Sequence, residues 1–304
     1  MKIVFMGTPE FAVPILEKLN ELYEIKLVIS QPNRVKKKNV FIDTPVAKIA
    51  KELNLNLIQP ENIKDEYEYI KNIDADLLIT AAYGQYVPTK ILNLFKKCIN
   101  VHASILPKHR GGAPIQRCLI EGDKLTGVTI MEMTKKLDAG KIYAIKEYEI
   151  KDDDNNTSLF KNLSIIGKDL LIENILDIYN DINKGIPQDD TKATYSYNIS
   201  KEEERIDLNQ SAINVINKIR GLAMEPGAYL DINGTNLKIY SAKIDNRFIA
   251  TTPGEVLNIK KGITISCKDF PISLELVQMP GKNIISGKDF SNGQKLFKLN
   301  DIIS

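Results

Sequence analysis

Asn100-Val101-His102-Ala103-Ser104-Ile105-Leu106-Pro107-Lys108-His109-Arg110-Gly111-Gly112 contains both histidines of the 304-residue chain. The run that enters it, Lys97 to Val101, reads as the end of a buried strand. Polar side chains follow at once, and the chain turns at Pro107 and again at Gly111-Gly112. Polar groups gathered where a strand ends mark the ligand-binding edge of an open α/β sheet. A histidine there suits proton handling, because its unperturbed pKa lies nearest neutrality. A satisfied structural histidine at a strand end fits the same pattern, and the stretch alone leaves both readings open.

Outward from this stretch the α/β pattern continues. Lys2 to Met6 is an apolar strand, followed by Gly7-Thr8-Pro9-Glu10. Thr8 is placed to cap a helix and Pro9 to open it. That helix extends to about Leu22, with Phe11, Ile15, Leu16 and Leu19 on one face. Glu24 to Ile29 is the next strand, so the unit predicts a parallel sheet with a right-handed crossover. One glycine after the first strand is not the three-glycine dinucleotide fingerprint, which excludes a nicotinamide cofactor. Ala75 to Ala82 is another buried strand. Thr126 to Met133 and Lys141 to Ile150 alternate as half-buried strands around the turn Leu137-Asp138-Ala139-Gly140. A carboxylate in such a turn is usually a turn former; it is also the usual partner of a catalytic histidine. A long helix from Thr157 to Tyr179 closes the first domain.

Composition sets the class. The chain is 43% hydrophobic and 26% charged with a net charge of +2, as expected of a soluble protein. No apolar run is long enough for a membrane span, and the start lacks a signal-peptide pattern. Cys98, Cys118 and Cys267 are too few and scattered for a disulfide framework, which points to the cytoplasm. A zinc site built from Cys98, His102, His109 and Cys118 matches no structural zinc spacing, so no metal is expected.

Arg34-Val35-Lys36-Lys37-Lys38 carries four basic residues in five and reads as a loop. It suits either a solvated surface or contact with nucleic-acid phosphates. Residues 185–205 read as a linker between residues 1–184 and 206–304. Past Gly227, short alternating strands between Gly, Asn and Pro turns predict a small antiparallel barrel. From Ile206 onward there are twelve Lys or Arg against nine Asp or Glu, a mildly basic third.

These motifs together resemble the methionyl-tRNA formyltransferases over nearly the whole chain. The resemblance lies in Phe5-Met-Gly-Thr-Pro-Glu-Phe11, Gln31-Pro-Asn-Arg34 and Ala82-Tyr-Gly84. It is strongest in Ile99-Asn-Val-His-Ala-Ser-Ile-Leu-Pro107 and Arg110-Gly-Gly-Ala-Pro-Ile-Gln116. Thr126-Gly-Val-Thr-Ile130, Leu137-Asp-Ala-Gly140, Ile199-Ser-Lys-Glu-Glu203, Arg205-Ile-Asp207 and Pro226-Gly-Ala228 continue it. The Asn-x-His pair with its downstream Asp is shared by formyltransferases that use 10-formyltetrahydrofolate. It specifies the donor more than the acceptor. The opening Gly-Thr-Pro and the second-domain motifs point to the tRNA enzymes.

The resemblance implies a Rossmann-like, mostly parallel α/β domain followed by a small OB-like β-barrel that contacts tRNA. It implies a catalytic set of Asn100, His102 and Asp138, with Ser104, Ile105, Leu106 and Pro107 against the folate. Arg34, Lys36, Lys37 and Lys38 would reach the acceptor end of initiator methionyl-tRNA. The implied enzyme is a cytoplasmic monomer that needs no metal or membrane. In the implied chemistry Asn100 donates to a tetrahedral oxyanion, His102 either donates a second hydrogen bond to it or takes the amine's proton, and Asp138 holds His102 in one tautomer and favours its protonated form. Three other readings share parts of this pattern: a formyltransferase acting on an amino-sugar nucleotide, a formyltetrahydrofolate hydrolase, and a folate- or RNA-binding module without turnover.

Overall fold

The chain is described by a computed structural model over residues 1–37 and 40–303. Its first nine strands are β1 (Lys2–Gly7), β2 (Glu24–Ile29), β3 (Arg34–Lys37), β4 (Val40–Ile42), β5 (Leu57–Ile58), β6 (Leu77–Ala81), β7 (Lys97–His102), β8 (Leu125–Glu132) and β9 (Ile142–Glu149). Seven of them form one sheet in the order β5-β2-β1-β6-β7-β8-β9. The first five strands of that order run parallel, and β8 and β9 are antiparallel. β1 and β6 are almost wholly buried, as strands covered on both faces must be, and this is why they read as continuous apolar runs.

The helix after β1 spans Val13–Leu22 and buries Ile15, Leu16 and Leu19, the face expected from the sequence. Thr8 does not cap it. A short 3-10 turn, Glu10–Ala12, intervenes. The Thr8 hydroxyl donates to the Tyr83 carbonyl at 2.8 Å, and its oxygen accepts from the Gln31 amide at 3.3 Å. The residue ties together three strand exits, a demand set by the sheet rather than by the helix.

The basic segment also departs from the loop expectation. β3 pairs antiparallel with β4, with Arg34 opposite Ile42 and Lys37 opposite Val40. Val35, Val40, Phe41 and Ile42 are β-branched or aromatic residues that favour a pleated ribbon. Lys38 lies outside the described residues.

The described residues fall into two compact units. The first comprises residues 1–114, 125–150 and 160–197, and the second residues 115–124, 151–159 and 198–304. Of the expected linker, residues 185–197 therefore pack with the first unit: Ile186 bridges Ile142, and Tyr195 bridges Arg110. No helix among the described residues is long and apolar enough to cross a membrane.

The second unit holds β10 (Ala228–Ile232), β11 (Thr235–Ile244), β12 (Val256–Asn258), β13 (Ile263–Ser266), β14 (Pro271–Gln278) and β15 (Ile285–Ser286). They form an antiparallel sheet in the order β10-β11-β14-β13-β12, with β15 on β14. Leu230, Leu237, Ile239, Ile263 and Ile265 meet Val215 and Ile219 of the helix Ala212–Gly221 in its core. Ser211 caps that helix by accepting from the Asn214 amide. Ser200 and Glu203 form a reciprocal capping pair, the Ser200 amide donating to the Glu203 carboxylate and the Glu203 amide to the Ser200 hydroxyl. The Glu203 carboxylate also takes two hydrogen bonds from Arg117.

Two carboxylates give this unit an acid-sensitive stability. Asp245 is buried and accepts from Arg247 Nε and Nη2 at 2.8 Å and from Thr264 Oγ1 at 2.7 Å. The charged hydrogen bonds of Arg247, against the opposing effect of burial, hold its pKa down to about 2. Arg117 does the same for the more exposed Glu203, also to about 2. A folded-state pKa below the unfolded value contributes stability above the unfolded value and loses it as pH falls through the folded one. The full chain should therefore lose stability as pH drops from about 4, the ordinary carboxylate value, to about 2. Acid titration of the unfolding midpoint checks this. Asp245→Asn should flatten the profile in that window, and an unchanged profile would show that Asp245 is not its source.

Candidate active site

β7 carries Asn100 and His102 two residues apart, so the pleat turns both side chains to one face. Asn100 lies opposite Thr80 of β6, and His102 opposite Thr129 of β8. Thr80 donates its hydroxyl to Asn100 Oδ1 at 2.8 Å. A bond at the acceptor end of the amide turns Nδ2, which only donates, away from Thr80.

His102 is buried, and its Nε2 lies 2.9 Å from the carbonyl oxygen of His109. A carbonyl only accepts, so Nε2 carries the proton in this assignment. The carbonyl of His109, not the carboxylate of Asp138, thus selects the tautomer. Nδ1 faces Asp138 Oδ2 at 3.8 Å. That is too long for a hydrogen bond, and the contact is an ion pair only when the ring carries its second proton.

Asp138 stands in the turn between β8 and β9 with φ +47°, a backbone region that Asp tolerates better than most residues. Its side chain is only 11% exposed. Oδ2 accepts the Gly111 amide at 2.9 Å. The structure therefore brings Asn100, His102 and Asp138 to the C-terminal edge of the parallel strands, where the sequence expected them.

The Ser104–Pro107 segment is pinned from below. Ser104 donates to the Lys108 carbonyl at 2.6 Å, and Thr129 donates to the Ser104 carbonyl at 2.6 Å. Thr129 also accepts the Leu106 amide at 3.2 Å. Ser104 and Leu106 are buried, whereas Ile105 and Pro107 are partly exposed. The Ser104 hydroxyl is spent on shaping the turn, which leaves Ile105, Pro107 and the backbone as its outward surface.

His109 has a structural role. It is buried with φ +61°. Its amide donates to Thr194 Oγ1 at 2.9 Å, and Nδ1 lies 2.7 Å from Ser196 Oγ. These contacts aim its carbonyl at His102. The Arg110 amide donates to the Thr194 carbonyl, and the Ser196 amide donates to the Arg110 carbonyl. Cys98 donates its thiol to the Leu92 carbonyl. Burial, reinforced by nearby Glu132, pushes that thiol up to about 12, so it is neutral near pH 7.

Thr80 and Ser196 are absent from the residues that the sequence singled out, and Thr129 entered only within the Thr126–Ile130 motif, with no role assigned to it. Thr80 left one readable mark, as the only polar residue in Leu77–Ala81. Arg34, Lys36 and Lys37 lie on the separate β3–β4 ribbon, and Lys38 is outside the described residues.

A formyl transferase family model matches residues 1–175, and a formyl transferase C-terminal domain model matches residues 198–295. The methionyl-tRNA formyltransferase of Lactobacillus acidophilus is 45% identical over 298 residues, 96% of this chain and 95% of that protein. This chain belongs to the methionyl-tRNA formyltransferase family. The family's two domain models thus cover the sheet that carries the catalytic candidates and the antiparallel sheet of the second unit. More distant solved structures share the fold. The sugar 3N-formyl transferase WlaRD, with dTDP and 5-N-formyl-THF, superposes with a TM-score of 0.70 at 22% identity, covering 93% of this chain and 99% of its own. HypX from Aquifex aeolicus, in complex with tetrahydrofolic acid, gives 0.65 at 17% identity. There the match covers 95% of this chain and 46% of HypX, so the chain spans just under half of that protein's length.

Proposed function

We propose that this chain transfers the formyl group of 10-formyltetrahydrofolate to the α-amino group of methionyl initiator tRNA, for translation initiation in the cytoplasm. The observation that carries the reading is the convergence of Asn100, His102 and Asp138 from two sheet elements, with His102 Nδ1 3.8 Å from Asp138 Oδ2, in a chain of this family.

The amine attacks as the neutral form. Its free pKa is about 7.7–8.0, so a proton must be removed from much of it near pH 7. As its nitrogen bonds to the formyl carbon, the carbonyl becomes an oxyanion. Asn100 donates Nδ2–H to that oxyanion, since Thr80 occupies Oδ1. His102 Nδ1 takes the proton that the amine loses, and the Asp138 carboxylate beside it stabilises the charged ring. The carbon–N10 bond then breaks, the proton held on His102 is returned to N10, and tetrahydrofolate leaves. Ile105, Pro107 and the backbone around Ser104 and Leu106 form the folate-facing surface. We read the second unit as an OB-like barrel that contacts tRNA, and the Arg34–Lys38 segment as the contact to the acceptor end. The enzyme acts as a monomer and needs no metal.

The reading is tested by offering 10-formyltetrahydrofolate with methionyl initiator tRNA, free methionine or an amino-sugar nucleotide. Transfer to charged tRNA alone is expected. Transfer to the sugar nucleotide, or formate release without an acceptor, would replace this reading by one of its rivals. Replacing Arg34, Lys36, Lys37 and Lys38 together with Ala should weaken tRNA binding and flatten its dependence on salt, because fewer counterions are released. Equal affinity and an equal salt slope would return that segment to a solvated surface.

A further inference from the structure

Arg110 is completely buried, one of the largest side chains to be so. Burying a guanidinium is costly unless its donors are matched. Nε and Nη2 donate to Gln188 Oε1 at 3.1 and 2.7 Å, and Nη2 also meets Asp190 Oδ1 at 2.7 Å. With Oε1 taken by Arg110, the amide orientation of Gln188 is set. Its Nε2 donates to the Asp138 carbonyl at 2.9 Å and to the Gly140 carbonyl at 2.7 Å. Nothing else among the described hydrogen bonds clamps both carbonyls of this turn. The turn needs a clamp, because Asp138 sits at φ +47° and its carboxylate must stay beside His102.

We propose that Gln188 is a positioning residue for formyl transfer, held by Arg110 and holding the Asp138–Gly140 turn so that the Asp138 carboxylate faces His102. The assignment rests on the formyl-transfer reading above. Among the described hydrogen bonds Gln188 makes none to Asn100 or His102, so it acts through Asp138. It lies in the segment that the sequence presented as a linker, a segment that thereby becomes part of the catalytic unit.

Gln188→Glu keeps an acceptor for Arg110 and removes both donors from the turn. Displacing a catalytic group by about 1 Å can cost on the order of 10²-fold, so kcat should fall by about that factor. KM for charged tRNA and for the folate should change less than about twofold, since no binding contact is lost. A purely structural role would not produce the second signature, which is coupling. With Asp138→Asn already in place, adding Gln188→Glu should slow single-turnover transfer no further, because residues that act as a unit are non-additive. A full second loss in the double variant, or wild-type kcat in Gln188→Glu, would overturn the assignment. Should Gln188→Glu not fold, Gln188→Leu is measured in the same way. Failure of both to fold would make Gln188 a folding residue and also overturn it. Wild-type turnover in the same assay carries the functional reading by itself, so the two can fail separately.

Discussion

Asp138→Asn should retain the fold and lose kcat by about 10²–10⁴-fold, the range for removing a positioned acid–base group. Three features make this substitution clean. Asn tolerates the positive φ of +47° at this position. Its Oδ1 can still accept the Gly111 amide, which now bonds Asp138 Oδ2 at 2.9 Å. Gln188 holds the carbonyl of residue 138, which the exchange leaves in place. What disappears is the negative charge 3.8 Å from His102 Nδ1, and with it the stabilisation of the ring once it holds the amine's proton. The binding surfaces are untouched, so KM for either substrate should change little while kcat collapses. Single-turnover transfer and a thermal melt measured side by side decide the matter. Wild-type turnover in the variant would remove the carboxylate from the chemistry, and a large drop in melting temperature would make the loss uninformative.

Gly111→Ala should damage both folding and turnover. Gly111 has φ +121°, far outside the range of L side chains. A Cβ there would stand 2.7 Å from the Ser196 carbonyl oxygen, a backbone atom with little freedom to retreat. That oxygen accepts the Ala113 amide, and the Ser196 amide donates to Arg110. Relief of the clash must therefore pull apart the strand-like contact that carries Arg110. Backbone strain of this kind costs about 1–3 kcal/mol. The shift also withdraws the Gly111 amide from Asp138, and a hydrogen bond to a charged group contributes about 1.5–3 kcal/mol. We expect a lower denaturation midpoint and a kcat reduced on the order of 10²-fold. Gly234 provides the contrast: φ is +80° and a Cβ would meet nothing within 4 Å. Gly234→Ala should show the conformational penalty alone. Equal losses of stability in the two variants would contradict the clash.

Much of the architecture was legible because it rests on short-range periodicity. The apolar runs Lys2–Met6 and Ala75–Ala82 announced strands buried on both faces, and β1 and β6 are such strands. The strand expected to end at Val101 runs one residue further, to His102, so the pleat puts Asn100 and His102 on one face, a pairing that the apolar run alone did not announce. The same local logic failed at Thr8, where a good capping residue is drawn instead to the Tyr83 carbonyl 75 positions away. It failed again at the basic segment, where the pairing of β3 with β4 makes a ribbon from what composition alone marks as loop.

The sequence by itself determined the fold class, the two-part organisation, the catalytic candidates and, through its motifs, the family. Each depends on residue type and on spacings of a few positions, which are properties of a chain before it folds. Only the tertiary structure decided what holds those candidates in place. The His109 carbonyl fixes the tautomer of His102, Thr80 orients Asn100, and Gln188 clamps the turn of Asp138 from 50 residues away. Those contacts depend on which strand lies beside which and on where a nominal linker is drawn back across the sheet edge. Buried polar groups must find partners wherever the fold supplies them, and no local pattern encodes which partner that will be.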